Sequence, residues 1–308
     1  MLSRTSWIPY AGLLVLFWGV WGAFSATPTD LYGYPDEMIY VIWSLTMLVP
    51  AAVVLRGARW DRRGVATAWG LTAGLTGAGG QLLLFRALSD GPAYLIFPLV
   101  ALSPAVTVLL AVGLLRERLA RLAVVGLVLA LVAVVLFSVS GGGGVDTGVW
   151  LPLALVVTVA WGVQAFAMRK AGLNGVNDAT TFGWMTISGL VLVPLAFWSM
   201  GGFPGSYVWQ APVLTAGTQL LNAVGALFLV MALTRGRASV VSPVTNALAP
   251  VLTVVLSLVV FQTLPSPYGA VGIVLALVGS TLMVYSDEKS GESAVTEGAS
   301  RPVAERSG

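Results

Sequence analysis

The sequence has no cysteine and no histidine, and charge is scarce. Without cysteine there is no disulfide framework, thiol nucleophile or thiolate metal site. Without histidine, the commonest metal ligand and the usual general base near neutral pH are missing. Only 9% of the 308 residues are charged, 57% are hydrophobic, and the mean hydropathy is +0.89. A soluble domain carries roughly 25% charged residues. A chain this poor in charge cannot cover its surface with water-compatible groups, so lipid must be part of its solvent. That excludes the soluble globular, disordered and secreted disulfide-rich classes. The net charge of +3 and pI of 9.4 do not point to nucleic acid, because basic residues also accumulate in the cytoplasmic loops of membrane proteins.

What is present is a series of long apolar runs. A membrane-spanning helix needs about 20 apolar residues. Ten candidates fall near 7–26, 38–55, 65–85, 93–115, 122–139, 149–168, 180–199, 208–233, 238–262 and 267–285. The runs are continuous, whereas barrel strands would be about ten residues of alternating polarity. With ten spans and a cytoplasmic N-terminus, every lysine and arginine except Arg86 falls on the cytoplasmic side. The outer loops carry Asp30, Asp36, Glu37, Asp90 and Asp146 instead. This is the positive-inside pattern. The first run is long and lacks a small-residue cleavage site, so it reads as a retained span. The polar tail 287–308 reads as a disordered cytoplasmic segment. The expected fold is therefore an all-α integral membrane protein in the cytoplasmic (inner) membrane, with both termini cytoplasmic.

The chain also repeats itself. The stretch Gly141-Gly142-Gly143-Gly144 lies in an expected outer linker, 141–148, between a first half (1–140) and a second half (149–286). Landmarks recur at an offset of about 141–146 residues. Trp18-Gly19-Val20 matches Trp161-Gly162-Val163, and Pro50 matches Pro194. Pro98 matches Pro243, Pro104 with Thr107 matches Pro250 with Thr253, and Gly126 matches Gly272. Five helices per half is an odd number, so the second half enters the membrane from the opposite face. Such inverted-topology repeats are characteristic of secondary transporters.

The segments "FRALSDGPAYLIFPLVALSPAVTVLLAVGLLRERL" and "MALTRGRASVVSPVTNALAPVLTVVLSLVVFQTL" occupy corresponding places in the two halves. On these segments the chain resembles EamA-type members of the drug/metabolite transporter superfamily, over about residues 8–285. The resemblance implies a carrier of small metabolites, usually working in export, with the fifth and tenth helices at the periphery. Glu117 resembles an acidic position of the family at the end of the fourth helix. The second half has Gln262-Thr263 there.

Several residues suit a solute pathway. Trp18 and Trp21 share a face of the first helix, as do Trp161 and Gln164 on the sixth. The third helix carries Gln81, the eighth Gln219 and Asn222, and the ninth Thr245 and Asn246. Amides in hydrocarbon must find partners, either neighbouring helices or a cavity. These side chains are the candidate cavity lining. Pro98, Pro104, Pro243 and Pro250 are candidate hinges, because each removes a backbone hydrogen bond inside a helix. Arg86 and Glu117 are candidate charged groups. Arg86 pairs with Asp90 one turn on or faces the outer cavity. No Asp, Glu or Lys falls in the middle of a span, which disfavours a buried-carboxylate proton relay.

The expected function is alternating-access transport of a small neutral or zwitterionic metabolite, foremost amino-acid or metabolite export. The cavity would be lined by helices 1–4 and 6–9. An uptake permease for a sugar or nucleobase is the alternative. An integral-membrane lipid-modifying enzyme is the rival of another class, and it would need a nucleophile and base not found here. No catalytic residue, cofactor or metal is expected. No P-loop is present for ATP. The expected partners are the solute and the bilayer, with no nucleic acid, and a homodimer is left open.

Overall fold

The computed structural model describes residues 6–25, 27–90, 96, 100–117, 119–138, 149–201, 205–261 and 267–300. All secondary structure among them is helical. In hydrocarbon the backbone must bond to itself, and a helix does so within one segment. The helices are α1 (Ile8–Phe24), α2 (Thr27–Tyr32), α3 (Asp36–Thr46), α4 (Leu48–Leu55), α5 (Gly64–Asp90), α6 (Ser103–Leu114) and α7 (Arg121–Ser138) in the first half. The second half has α8 (Trp150–Leu173), α9 (Asp178–Val191), α10 (Val193–Ser199), α11 (Gln210–Arg235), α12 (Ala238–Phe261) and α13 (Pro267–Ser300). Five segments are long and apolar enough to cross a membrane: Ile8–Tyr32, Asp36–Leu55, Trp150–Leu173, Asp178–Ser199 and Gln210–Arg235. Shorter apolar helices lie at Ser103–Leu114, Arg121–Ala133, Ala238–Thr253 and Pro267–Met283. With α5, 27 residues long, each of the ten expected positions holds helix.

Packing crosses between the halves in matched pairs. α1 packs on α11 and α12, and its repeat mate α8 packs on α5 and α6. α3 meets α11, and α9 meets α5. The two mates α7 and α13 pack on each other. There a Cβ on Gly126 would lie 2.6 Å from the Gly279 carbonyl, and one on Gly279 would lie 2.6 Å from the Gly126 carbonyl. Only glycine permits that crossing. Neither helix reaches the central cavity described below.

The second and seventh spans are each interrupted close to a proline. The second span breaks at Met47 between α3 and α4, and the seventh breaks at Leu192 between α9 and α10. These breaks precede Pro50 and Pro194, which had been read as repeat landmarks only. Each proline lacks the N–H that would continue the ladder. By contrast, Pro243 and Pro250 lie within the continuous helix α12. Near them Thr245 Oγ1 donates to Val241 O at 2.8 Å and Asn246 Nδ2 to Ser242 O at 2.9 Å. Pro104 stands in the first turn of α6, where a missing N–H costs nothing. Pro98 and the linker 141–148 lie outside the described residues. α13 continues past Ser286 to Ser300. No proline interrupts the chain between Pro267 and Pro302, so nothing in the backbone stops the helix at the membrane boundary.

Candidate functional site

Two side-chain contacts reproduce the repeat in three dimensions. Trp18 Nε1 donates to the Asn222 carbonyl at 3.2 Å, and Trp161 Nε1 donates to the Gly77 carbonyl at 3.3 Å. Thr253 Oγ1 donates to the Gly19 carbonyl at 3.0 Å, and Thr107 Oγ1 to the Gly162 carbonyl at 3.2 Å. Each indole lies against a glycine on the facing helix. A Cβ on Gly80 would fall 2.6 Å from Trp161 Nε1, and one on Gly225 would collide with the Trp18 ring. The backbones therefore approach closely enough to anchor both indoles mid-bundle, away from the interfacial belt where tryptophan usually sits.

These indoles border a cavity of about 280 Å³ between the halves. α1 contributes Trp18, Trp21 and Gly22, while the second span contributes Trp43 and Met47. α5 supplies Gly74, Gly77, Ala78, Gln81 and Leu84, and the segment entering α6 supplies Val100, Ala101 and Ser103. Trp161, Gln164 and Ala165 come from α8 and Met185 from α9. α11 adds Asn222, Ala226 and Leu229, and α12 adds Ser242, Asn246, Ala249 and Thr253. Repeat mates both line it, including Trp18 and Trp161, Gly77 and Asn222, and Leu84 and Leu229. Among the described residues, no ionisable side chain lines it. The wall is aromatic, aliphatic and amide.

Seven of the nine cavity candidates read from the sequence line this space: Trp18, Trp21, Gln81, Trp161, Gln164, Asn222 and Asn246. Two do not. Gln219 is buried behind the wall, where its Oε1 accepts from Asn222 Nδ2 at 3.3 Å. Thr245 is fully buried and turns its hydroxyl onto its own helix. Helical spacing had placed Thr245 beside Asn246, but a hydroxyl can bond the carbonyl one turn back and needs no cavity. Trp43, Met47, Ser103, Met185 and Thr253 were not anticipated as lining. For Trp43 and Met47, their i, i+4 spacing was an available signal. The indole nitrogens of Trp21 and Trp43 are buried without a hydrogen-bond partner among the described residues. Orphaned buried donors cost about 1–3 kcal/mol each.

The charged candidates lie elsewhere. Arg86 is exposed on α5 and is not among the lining residues. Glu117 belongs to a polar network at one end of the bundle. Arg116 takes a left-handed backbone (φ 55°) just past α6. That turn brings the Glu117 carboxylate onto the N-terminus of α12, where it accepts from Ser239 Oγ at 2.5 Å, Ser239 N at 3.1 Å and Ala238 N at 3.4 Å. A carboxylate there satisfies orphan N–H groups and meets the positive end of the helix dipole. Arg169 Nε donates to Glu117 Oε1 at 3.4 Å, and its NH1 group reaches the Thr234 carbonyl at 3.4 Å. Next to it, Arg235 pairs with Asp178 at 2.7 Å and lies 4.6 Å from the Tyr10 ring centroid. The network thus ties the ends of α6, α8 and α11 to the starts of α1, α9 and α12. At the same end, Asp61 pairs with Arg63 at 2.5 Å, and Arg63 donates to the Gly175 carbonyl at 3.1 Å. The Arg63 guanidinium holds the Asp61 carboxyl below its ordinary value. Among the described residues no three His, Cys, Asp or Glu side chains group as a metal site.

Comparison with known proteins agrees with this architecture. The chain is 39% identical over 61 residues to an uncharacterized protein of Methanocaldococcus jannaschii, covering 20% of this chain and 44% of that one. The match thus spans less than half the length of that relative. A crystal structure at 21% sequence identity superposes with a TM-score of 0.76 over 92% of this chain and 99% of the other, a likeness of fold. The family model of the EamA-like transporters matches twice, over residues 5–139 and 148–285. Two matching repeats covering nearly the whole chain, with matched contacts across them, show that this multi-pass membrane protein belongs to the EamA-like transporter family.

Proposed function

We propose that the chain is an alternating-access carrier for a small neutral or zwitterionic metabolite, working as an amino-acid or metabolite exporter in the cytoplasmic membrane. The observation that carries this reading is the cavity between the repeats, lined from eight helix positions and free of ionisable side chains among its lining residues. A net charge would be stranded there at a cost of several kcal/mol. A solute without net charge meets aromatic faces and amide dipoles instead. Trp18, Trp21, Gln81, Trp161, Gln164, Asn222 and Asn246 bind it, and Gln219 holds Asn222 in place. The polar network around Glu117 and Arg235 closes the cytoplasmic end while the cavity is open on the other side, and the breaks at Met47 and Leu192 let the second and seventh spans bend. Export follows from the usual direction in the family. Both termini are cytoplasmic because that orientation puts the basic loops inside. The reaction is movement only, with no covalent chemistry.

Counterflow in proteoliposomes tests this. Vesicles preloaded with unlabelled amino acids, sugars or nucleobases are diluted into the labelled counterpart. A carrier gives transient accumulation for at least one solute. If no solute in such a panel accumulates although the protein is correctly inserted, the carrier reading fails.

A further inference from the structure

Two of the cavity's carboxamides make no hydrogen bond among the described residues. Asn222 donates to Gln219, and Asn246 donates to the Ser242 carbonyl. Gln81 and Gln164 make no hydrogen bond among the described residues, yet both line the cavity. They also lie near each other. The Gln164 amide rests on the Cα of Gly77, where a Cβ would collide with it. Gln81 is one helical turn beyond Gly77, on the same face of α5. The Trp161 ring is anchored beside them by its bond to the Gly77 carbonyl. Two carboxamides without a partner among the described residues therefore stand next to a fixed indole, in a space whose described lining carries no charge.

Each carboxamide offers a carbonyl acceptor and an NH₂ donor side by side. Its best partner is a second edge of the same kind, with an N–H and a C=O adjacent and coplanar. Glutamine and asparagine read heterocycle edges in this bidentate way. Flat rings stack on aromatic side chains. We propose that Gln81 and Gln164 form a subsite for the lactam edge of a flat, uncharged, nucleobase-like solute, with the Trp161 indole against its ring. This rests on the carrier reading and narrows its solute class. A saturated chain would leave the indole face without a matching plane. A solute lacking the donor–acceptor edge would leave both amides unpaired, which is where discrimination comes from.

The test uses the full-length protein in proteoliposomes and labelled uracil as probe. Unlabelled uracil and 1,3-dimethyluracil, whose ring N–H groups are blocked, compete for counterflow. Uracil is expected to compete at least about tenfold better, which corresponds to one lost hydrogen-bonded pairing. Gln81→Met and Gln164→Met keep side-chain length and remove the edge; each is expected to lower uracil counterflow by about tenfold and to shrink the gap between the two competitors. Equal competition by both pyrimidines overturns the subsite without needing any variant. Counterflow of leucine or glucose with none of uracil also overturns it, while the carrier reading stands. No counterflow of any of these solutes counts against both.

Discussion

Replacing Glu117 by alanine removes one carboxylate and disturbs three helices at once. Its side chain is only 8% exposed and that of Arg169 only 14%, so water cannot replace what is lost. The nearly buried guanidinium of Arg169 would lose its contact with the Glu117 carboxylate. The Ala238 and Ser239 N–H groups and the Ser239 hydroxyl would lose their acceptor at the start of α12. Breaking a buried ion pair from one side costs about 3–5 kcal/mol, and loss of a helix N-terminal cap alone costs about 0.5–2 kcal/mol. These terms overlap, and Arg169 keeps its contact with the Thr234 carbonyl. The expected destabilisation of Glu117→Ala is therefore about 3 kcal/mol. Glu117→Gln retains one oxygen for the helix N-terminus and loses only the charge, so it should cost roughly half as much. Reversible unfolding in mixed micelles, followed by circular dichroism, reads both values. If Glu117→Ala unfolds within about 0.5 kcal/mol of the unmodified protein, the carboxylate is not holding this end of the bundle together.

Other perturbations separate the remaining parts of the account. Gly80→Ala and Gly225→Ala each place a Cβ against an indole, and overpacking of this kind costs about 1–3 kcal/mol. The two should behave alike in the same unfolding assay, because they are repeat mates; a large effect at one and none at the other would contradict the symmetry. Asn222→Leu removes an amide from the cavity wall, so counterflow should fall while the amount of protein in the membrane changes little. Unchanged counterflow would remove Asn222 from the pathway. Asp61 has a folded-state pKa below its ordinary value of 3.8, so its stabilising contribution is complete above that value and is lost as the pH falls below it. Hydrogen-exchange protection factors in the loop around Asp61 and Gly175, corrected for the intrinsic pH dependence of exchange, should be higher at pH 7 than below about pH 4; Asp61→Asn should remove that difference.

Much of the fold could be read from the chain because a repeat leaves its landmarks where packing is tightest. Trp18-Gly19 and Trp161-Gly162 recur because the two helices cross their partners in the same way, with an indole on a carbonyl and a glycine beneath a threonine-bearing helix. The amides were legible because hydrocarbon penalises any amide without a reason to be there. What could not be read was which way a polar side chain turns. Thr245 and Asn246 are neighbours, yet one bonds its own helix and the other reaches the cavity. Glu117 was legible as a charge at the end of the fourth helix, but not that the left-handed turn at Arg116 aims it at the start of α12. Prolines are legible as missing N–H groups, but not whether the helix stays continuous: Pro243 and Pro250 lie within α12, whereas the second and seventh spans are interrupted at Met47 and Leu192, just before Pro50 and Pro194.

The central claim is that one cavity between two inverted halves is exposed to opposite faces of the membrane in turn. The lack of cysteine makes the chain a clean background for site-directed labelling. Leu84 and Leu229 are repeat mates that both line the cavity, placed toward opposite faces by the inverted topology. Leu84→Cys and Leu229→Cys, each as a single cysteine, are treated in oriented vesicles with a thiol reagent that cannot cross the membrane. The account predicts that Leu84→Cys labels from one side and Leu229→Cys from the other, and that a transported solute shifts the two rates in opposite directions. Labelling of both from the same side, or rates that a transported solute leaves unchanged, would contradict alternating access through this cavity.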